Sequence, residues 1–425
     1  MSLSAPTEQI DFGPFHVDSR TGQLLLRGAN LDLRPKALCA LKTLIQNSGR
    51  YVDYDQMIHD AWEGTQVSRH TVAVTIAELK RALGDYGSWI THRPKIGYRM
   101  EIPGSEELIR EGWHFWNRLT REGLEKAAEC FQRAEQLDNS DHRAYEGVAS
   151  CYLSLGTYGM RPAREVYPLF LKAHNRALEL CGMTPELRGA GAHGMLIFER
   201  KFVEAQREME RAIREKPKAP GIYVRLTMLY ATRGRFQDAL EVAEKARAID
   251  SLSAVMPPAE IFIHLCQRDY EKARAAGERA VDLYPYHPLG RALYSEALFA
   301  SGKREESVRQ YHFAHVMCPD LPWLRAMEGV CLAGIGKQKE AADILEEIQR
   351  VRESDYVDAY FVALLCHALG QHDEAFQELE RAVEENSATL FLLDVDVRMD
   401  PLRNDPRFAV LRDKAFHPQA AAAYR

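Results

Sequence analysis

Apolar positions change their period twice along this chain. Between residues 11 and 34 they come in short runs, Phe12 to Val17, Gln23 to Arg27 and Asn30 to Leu33, separated by turn residues such as Gly22 and Gly28. Such runs predict short antiparallel strands. From Pro35 the spacing becomes helical. Leu38, Leu41, Leu44 and Ile45 share one face, and proline suits the first turn, where its missing N–H costs nothing. Asn47-Ser48-Gly49 stops that helix, and Tyr51 to Asp53 reads as a link. A second helix runs from Asp55 to Trp62, with Ile58 and Trp62 inward. After the loop Glu63 to Val67 a third helix is marked at both ends. Ser68 can accept from an orphaned backbone N–H, and Gly84 can end it in the left-handed conformation. Val72, Ile76, Leu79 and Leu83 form its inner face. Residues Trp89 to Arg99 then read as a hairpin with Pro94 and Lys95 at its tip.

From Glu106 the pattern is helical throughout, and it repeats. Phe202, Phe236, Tyr270, Arg304, Gln338 and His372 are each 34 residues apart. Three residues after each stands a small residue: Ala205, Ala239, Ala273, Ser307, Ala341 and Ala375. Seven further on stand Ala212, Ala246, Ala280, Ala314, Ile348 and Ala382. Two residues before each start, Gly234, Gly302, Gly336 and Gly370 recur, with Arg200 and Arg268 as exceptions. Small residues let two helices approach closely, and each unit buries its apolar face only against its neighbours. Two less regular units precede these, at 106–137 and 142–180, giving eight in all.

Charge sharpens the reading of the first hundred residues. The chain of 425 residues carries −6 overall, yet residues 69 to 99 hold six basic and two acidic side chains. The outer face of the third helix carries Arg69, Ala73, Thr75, Ala77, Lys80 and Arg81, which are small or basic. A helix that enters a major groove needs a narrow outer face and a few long donors. Positive charge is thus concentrated where a phosphate surface requires it.

An apolar helix, a basic helix and a hairpin ending Arg93-Pro94-Lys95-Ile96-Gly97-Tyr98-Arg99 together resemble the winged helix-turn-helix domain of OmpR/PhoB-type bacterial transcription regulators. The opening Phe12-Gly13-Pro14-Phe15 fits the same family. The resemblance implies that the helix from Ser68 lies in the major groove of promoter DNA, with the hairpin as a wing on the backbone or minor groove. Arg69, His70, Ala73, Thr75, Lys80 and Arg81 are then the DNA-facing candidates on the helix, and Arg93 and Lys95 those on the wing. Glu78 departs from the pattern, standing where many members carry a basic residue. The loop Glu63 to Val67 is in this family a candidate surface for RNA polymerase or a neighbouring protomer.

The 34-residue unit resembles the tetratricopeptide repeat. The expected fold is therefore an α+β winged helix-turn-helix N-terminal domain followed by an all-α tetratricopeptide-repeat solenoid. Its boundaries are residues 1–102 for the winged helix, 103–105 for a linker, 106–388 for the repeats and 389–425 for a capping segment and tail. The ending Asp400-Pro401-Leu402-Arg403-Asn404-Asp405-Pro406-Arg407-Phe408 resembles the tail of other regulators that join a winged helix to such repeats. HilA-like and CadC-like regulators are the family resembled, here without a membrane span. In the repeats Tyr223, Arg225, Arg291, Tyr294, Arg325 and Tyr360 lie on first helices, which line the concave surface of this architecture. Aromatic and arginine side chains are favoured interface anchors, so these six are candidates for holding a protein or peptide partner or a second copy of the chain.

Several classes find no support. No run of about 18 apolar residues occurs, and the N-terminus lacks the pattern of a signal peptide, so a cytoplasmic location with no membrane partner is expected. Eight scattered cysteines without a CxxC pair read as reduced thiols. No phosphate loop, dinucleotide fingerprint, nucleophile elbow or zinc-protease motif is present. His312, His315 and Cys318 share a helix without a fourth ligand. The expectation is no enzyme, no cofactor and no metal. The rival to a DNA-binding regulator is a scaffold that uses both domains for protein–protein interaction; Glu78 and the near-neutral first domain favour it slightly.

Overall fold

The structure is a computed structural model that describes residues 10–12, 15–18, 23–26, 29–31, 33–102, 104–250 and 256–416. The turn residues Gly13, Pro14, Gly22 and Gly28, the linker residue Pro103 and the tail beyond Phe416 lie outside them. The chain divides into two compact units, one of residues 1–111 with 130–139, the other of residues 112–129 with 140–425.

The first unit opens with a four-stranded antiparallel sheet: β1 (Ile10–Phe12), β2 (Phe15–Asp18), β3 (Gln23–Leu26) and β4 (Ala29–Leu31), paired in chain order. Three helices follow, α1 (Pro35–Gln46), α2 (Tyr54–Trp62) and α3 (Arg69–Ala82). Their inner faces are those given by the periodicity. Leu41, Leu44, Val72 and Leu79 are fully buried with Phe15 and Leu24 of the sheet in one core. The caps also form: the Asp53 carboxylate accepts from Gln56 N–H at 2.8 Å, and Ser68 Oγ from Thr71 N–H at 3.1 Å.

One element differs from expectation. Tyr51–Val52 is a strand, β5, rather than a link. It pairs with β7 (Gly97–Met100), which also pairs with β6 (Ile90–Arg93), so the wing is a three-stranded sheet with β7 in the middle. A two-residue strand is too short to show a period, and only its pairing reveals it.

After the wing the described residues form sixteen paired helices: α4 (Ser105–Trp116), α5 (Arg121–Leu137), α6 (His142–Thr157), α7 (Ala163–Cys181), α8 (Pro185–Ile197), α9 (Phe202–Glu215), α10 (Pro220–Thr232), α11 (Phe236–Ile249), α12 (Met256–Cys266), α13 (Tyr270–Leu283), α14 (Pro288–Ala300), α15 (Arg304–Met317), α16 (Pro322–Gly334), α17 (Gln338–Val351), α18 (Ala359–Ala368) and α19 (His372–Glu384). The 34-residue period falls on the first residue of each second helix from α9 to α19. Every small residue three positions later is buried to within 1% of completely, which is why a larger side chain is not tolerated there. The glycine-rich run 189–194 packs closely as its composition suggests: a Cβ on Gly194 would meet Phe170 at 2.9 Å.

The two exceptions to the glycine rule carry information. Arg200 and Arg268 hold φ of 54° and 63°, the left-handed conformation that Gly234, Gly302, Gly336 and Gly370 adopt in the other repeats. An L-residue there costs roughly 1 kcal/mol. The side chains offset it. Arg200 donates to the Ala415 carbonyl and to Asn386, and Arg268 donates to the Val395 carbonyl at 3.1 Å and to Asp400 at 2.9 Å. Both arginines thus hold the C-terminal segment. That segment comprises 3₁₀ turns at Ala388–Leu392 and Val397–Leu402 and helix α20 (Pro406–Phe416). It was expected only to end the stack. It does pack on α19 through α20, but it also returns along the inner side of the repeats to α6 and α8.

Candidate nucleic-acid interface

Helix α3 and the wing are joined at one end by a short chain of contacts. The Arg69 guanidinium lies over the Tyr54 ring, 4.9 Å from its centre. The Tyr54 hydroxyl and His92 Nε2 are 2.9 Å apart, and the His92 ring stacks on Tyr98. Burial, then the hydrogen bond with Tyr54, pushes the Tyr98 hydroxyl up to about 12, so it stays a neutral donor. The start of α3 is therefore held beside β6, whose last residue is Arg93. Beyond it the wing turns through Lys95 at φ 69°, leaving Arg93, Pro94, Lys95 and Ile96 exposed.

The exposed stripe of α3 is not quite the one expected. His70, Val74, Ala77 and Arg81 face outward, with Arg69 and Thr71 at the first turn. Ala73 and Lys80 flank the stripe, half-buried. Thr75 must be corrected: it is 7% exposed, and its hydroxyl donates to the Thr71 carbonyl at 3.0 Å. It lies one position before Ile76 on the inner side and satisfies its own hydroxyl within the helix. The stripe contains instead Val74, 43% exposed, which sequence reasoning passed over because an isolated valine in a helix reads as core. An exposed apolar side chain on such a helix suits the methyl group of thymine.

Charge on this face is free to act. Among the described residues Arg69, His70, Lys80, Arg81, Arg93 and Lys95 form no ion pair with a carboxylate. Glu78 is the exception in sign, but it is not free: Arg34 grips it with two hydrogen bonds, Nε at 2.8 Å and Nη2 closer still. Arg34, missed in the sequence because it lies 44 residues away, thus neutralises the acid that departs from the family pattern.

The six repeat-unit candidates separate. Tyr223, Tyr294 and Tyr360 are buried packing residues rather than exposed anchors. Tyr294 fills the space that Gly277 leaves, Tyr223 donates to the Pro217 carbonyl at 3.0 Å, and Tyr360 donates to Asp396 at 2.8 Å. Arg325 is held by Glu328 and Glu347, and Arg291 lies over the Phe313 ring and donates to Gln310. The tyrosines are drawn into the helix interfaces and the two arginines are engaged by neighbouring side chains, which is why these five do not present themselves. Only Arg225 makes no hydrogen bond or ion pair with a described residue. His312 is engaged by Glu328 at 3.0 Å. A different trio, His142, Glu146 and Cys181, brings its ligand atoms within 4.8 Å of one another; burial holds the Cys181 thiol up, in its protonated form.

Comparison with known proteins agrees with this geometry. Residues 28–100 match the family "Transcriptional regulatory protein, C terminal", and residues 197–254 match "Tetratricopeptide repeat". The transcriptional activator CadC of Escherichia coli K12 is 30% identical over 95 residues, which are 21% of this chain and 19% of that protein. The match therefore spans about a fifth of the relative's length. Among solved structures, a monomeric mutant of IFIT1 with m7Gppp-AAAA superposes with a TM-score of 0.54 at 13% identity, covering 85% of this chain and 79% of that one. The human IFIT1 dimer with PPP-AAAA gives 0.50 at 14% identity, covering 83% and 95%. These likenesses show the helical-repeat fold alone. No described helix is long and apolar enough to cross a membrane. The chain carries an OmpR/PhoB-type winged-helix domain near its N-terminal end and tetratricopeptide repeats after it.

Proposed function

We propose that the chain is a cytoplasmic, sequence-specific DNA-binding transcriptional regulator whose repeats sense or recruit a partner. The observation that supports it best is the run of basic side chains free of carboxylate partners, from Arg69 and His70 through Lys80 and Arg81 to Arg93 and Lys95, among the described residues. Helix α3 enters the major groove, with His70, Ala73, Val74 and Ala77 toward base edges. Arg69, Lys80 and Arg81 take phosphates on either side, and Arg93 and Lys95 on the wing take the adjoining backbone or minor groove. We take the reader as 1–102, the linker as 103–105, the repeats as 106–388 and the closing segment as 389–425; Ser105 already opens α4, and the first compact unit also takes in residues up to 111 and 130–139. The exposed loop at Glu63 to Gln66 is the surface offered to RNA polymerase or to a second protomer.

Genome-wide occupancy of the tagged protein tests this, compared with Lys80→Ala/Arg93→Ala. Discrete peaks lost in the variant are the expected result; an absence of peaks with both proteins favours the scaffold. On an operator so found, affinity is expected to fall with salt at a log–log slope of roughly −4, from four or five phosphates at about −0.9 each. Arg93→Ala/Lys95→Ala should lower that slope by about 2 and weaken all sequences alike. Glu78→Gln has the opposite sign. It removes the one acid from the face and frees Arg34, so binding should tighten roughly threefold, on the scale of one surface charge, as read by fluorescence anisotropy at low salt.

A further inference from the structure

The second unit encloses a cavity of about 350 Å³. Its wall is mainly hydrocarbon from the first helices of the pairs, including Met228, Phe262, Leu293, Trp323 and Phe361, and from Phe391 of the returning C-terminal segment. Arg200 and Arg268 hold that segment in place, as described above. The repeats also meet across the unit: the Arg121 backbone N–H donates to Asp320 at 2.6 Å, and its guanidinium pairs with Asp355. The space is thus built by the whole superhelix, and its volume lies within the roughly 300–1,000 Å³ of small-molecule sites.

Its charges balance in number but not in place, because both carboxylates attend one of the two arginines. Asp396 and Arg398 form a two-pronged pair at 2.8 Å on each prong, and Glu296 approaches Arg398 at 3.6 Å. Arg225 has no such partner; the one group whose charge acts on it is the Tyr158 hydroxyl. Arg225 is half-buried, and burial depresses its basicity. Beside it His193 is 5% exposed. The Thr157 hydroxyl proton goes to the Leu153 carbonyl at 2.7 Å, so His193 Nε2, 3.3 Å from that oxygen, carries the hydrogen. Its Nδ1 is then a bare acceptor, buried with no partner. A half-buried cation without a carboxylate partner thus lines an apolar space.

We infer that the repeat unit is a receptor for a small amphipathic carboxylate. The Arg225 fork takes the carboxylate in two parallel hydrogen bonds. The apolar wall takes a body of roughly 8–12 carbon atoms, since a cavity of about 150 Å³ holds benzene. One uncompensated cation admits one negative charge. A polyphosphate is disfavoured, because the other carboxylates here already claim Arg398.

Calorimetric titration of the full chain with 3-hydroxydecanoate, decanoate and 1-decanol tests the inference. Saturable binding of both acids is expected, with 1-decanol roughly 10–100-fold weaker than decanoate, the worth of a charge-assisted pair. Arg225→Gln should erase the preference for the acids while leaving the alcohol unchanged. Arg225→Lys, which keeps the charge but not the fork, should fall between. Removing an unpaired buried cation should not lower the melting temperature. Equal affinity for acid and alcohol, no saturable binding of any probe, or undiminished acid binding by Arg225→Gln would each overturn it. The titration needs no DNA, so its result stands apart from that of promoter occupancy.

Discussion

Gly97→Ala is expected to disrupt the wing and abolish DNA binding. Gly97 has φ of 140°, and a Cβ built there would lie 2.0 Å from the Val52 carbonyl oxygen and 2.8 Å from Asp53 Cα. Both obstacles are backbone, so no side chain can swing away. To make room, β7 must leave β5, which unpairs the central strand of the three-stranded sheet and exposes Tyr98 and Met100, now 5% and 0% exposed. The loss should exceed about 4 kcal/mol, in the range reserved for backbone strain combined with lost core contacts. Gly64→Ala is the control. Its φ of 74° is equally left-handed, but nothing lies within 4 Å, so it should cost only about 1 kcal/mol. Thermal melting followed by circular dichroism separates the two. Equal melting temperatures for both variants would mean that the approach of β5 to Gly97 does not matter.

The same glycine shows what could be read in the sequence and what could not. Its place before Tyr98 marked a sharp return, and the hairpin followed. That it also sits under a strand 45 residues earlier was not visible, because Tyr51–Val52 is too short to have a period. The repeats were the opposite case. Their 34-residue spacing located the first residue of six helices, since small residues recur wherever two helices touch. The exceptions Arg200 and Arg268 were seen but not understood, because their reason lies in contacts 127 to 215 residues away in sequence. On α3 the inner face was legible from Val72, Ile76, Leu79 and Leu83. The outer face was less so: a helix turns by 100° per residue, and Thr75 and Val74 exchange roles over that one step. The arginines and tyrosines of the repeats misled in the same way. Composition favours them as interface anchors, yet only Arg225 remains unengaged once each partner is placed.

Arg398→Met should be the most damaging change in the repeat unit. Arg398 is flanked by Asp396 and Glu296, whose side chains are 2% and 12% exposed. Asp396 is held below its usual range by Arg398, against its burial. Glu296 is pushed up to about 7 by burial, which the more distant Arg398 only partly opposes. Methionine fills similar volume but leaves two carboxyl groups in an apolar wall without a cation, a change worth about 3–5 kcal/mol. The sign with pH follows from the direction of the shifts. In the native chain Glu296 holds a proton that the unfolded chain releases above the ordinary carboxylate range. That stability is fully present at lower pH and lost as pH rises toward 7. Asp396 works the other way, adding stability above the ordinary aspartate range and losing it in acid. Arg398→Met removes the depression of Asp396, so both acids then favour the protonated fold. The variant should therefore be least stable at pH 8 and recover in part at pH 5. Glu296→Gln, by contrast, should be more stable than the native chain at pH 8, by on the order of 2–3 kcal/mol. Chemical denaturation followed by tryptophan fluorescence at the two pH values reads all three proteins, and a variant without Arg398 that is equally stable at both would show that these carboxyl groups find water or other partners when the guanidinium is gone.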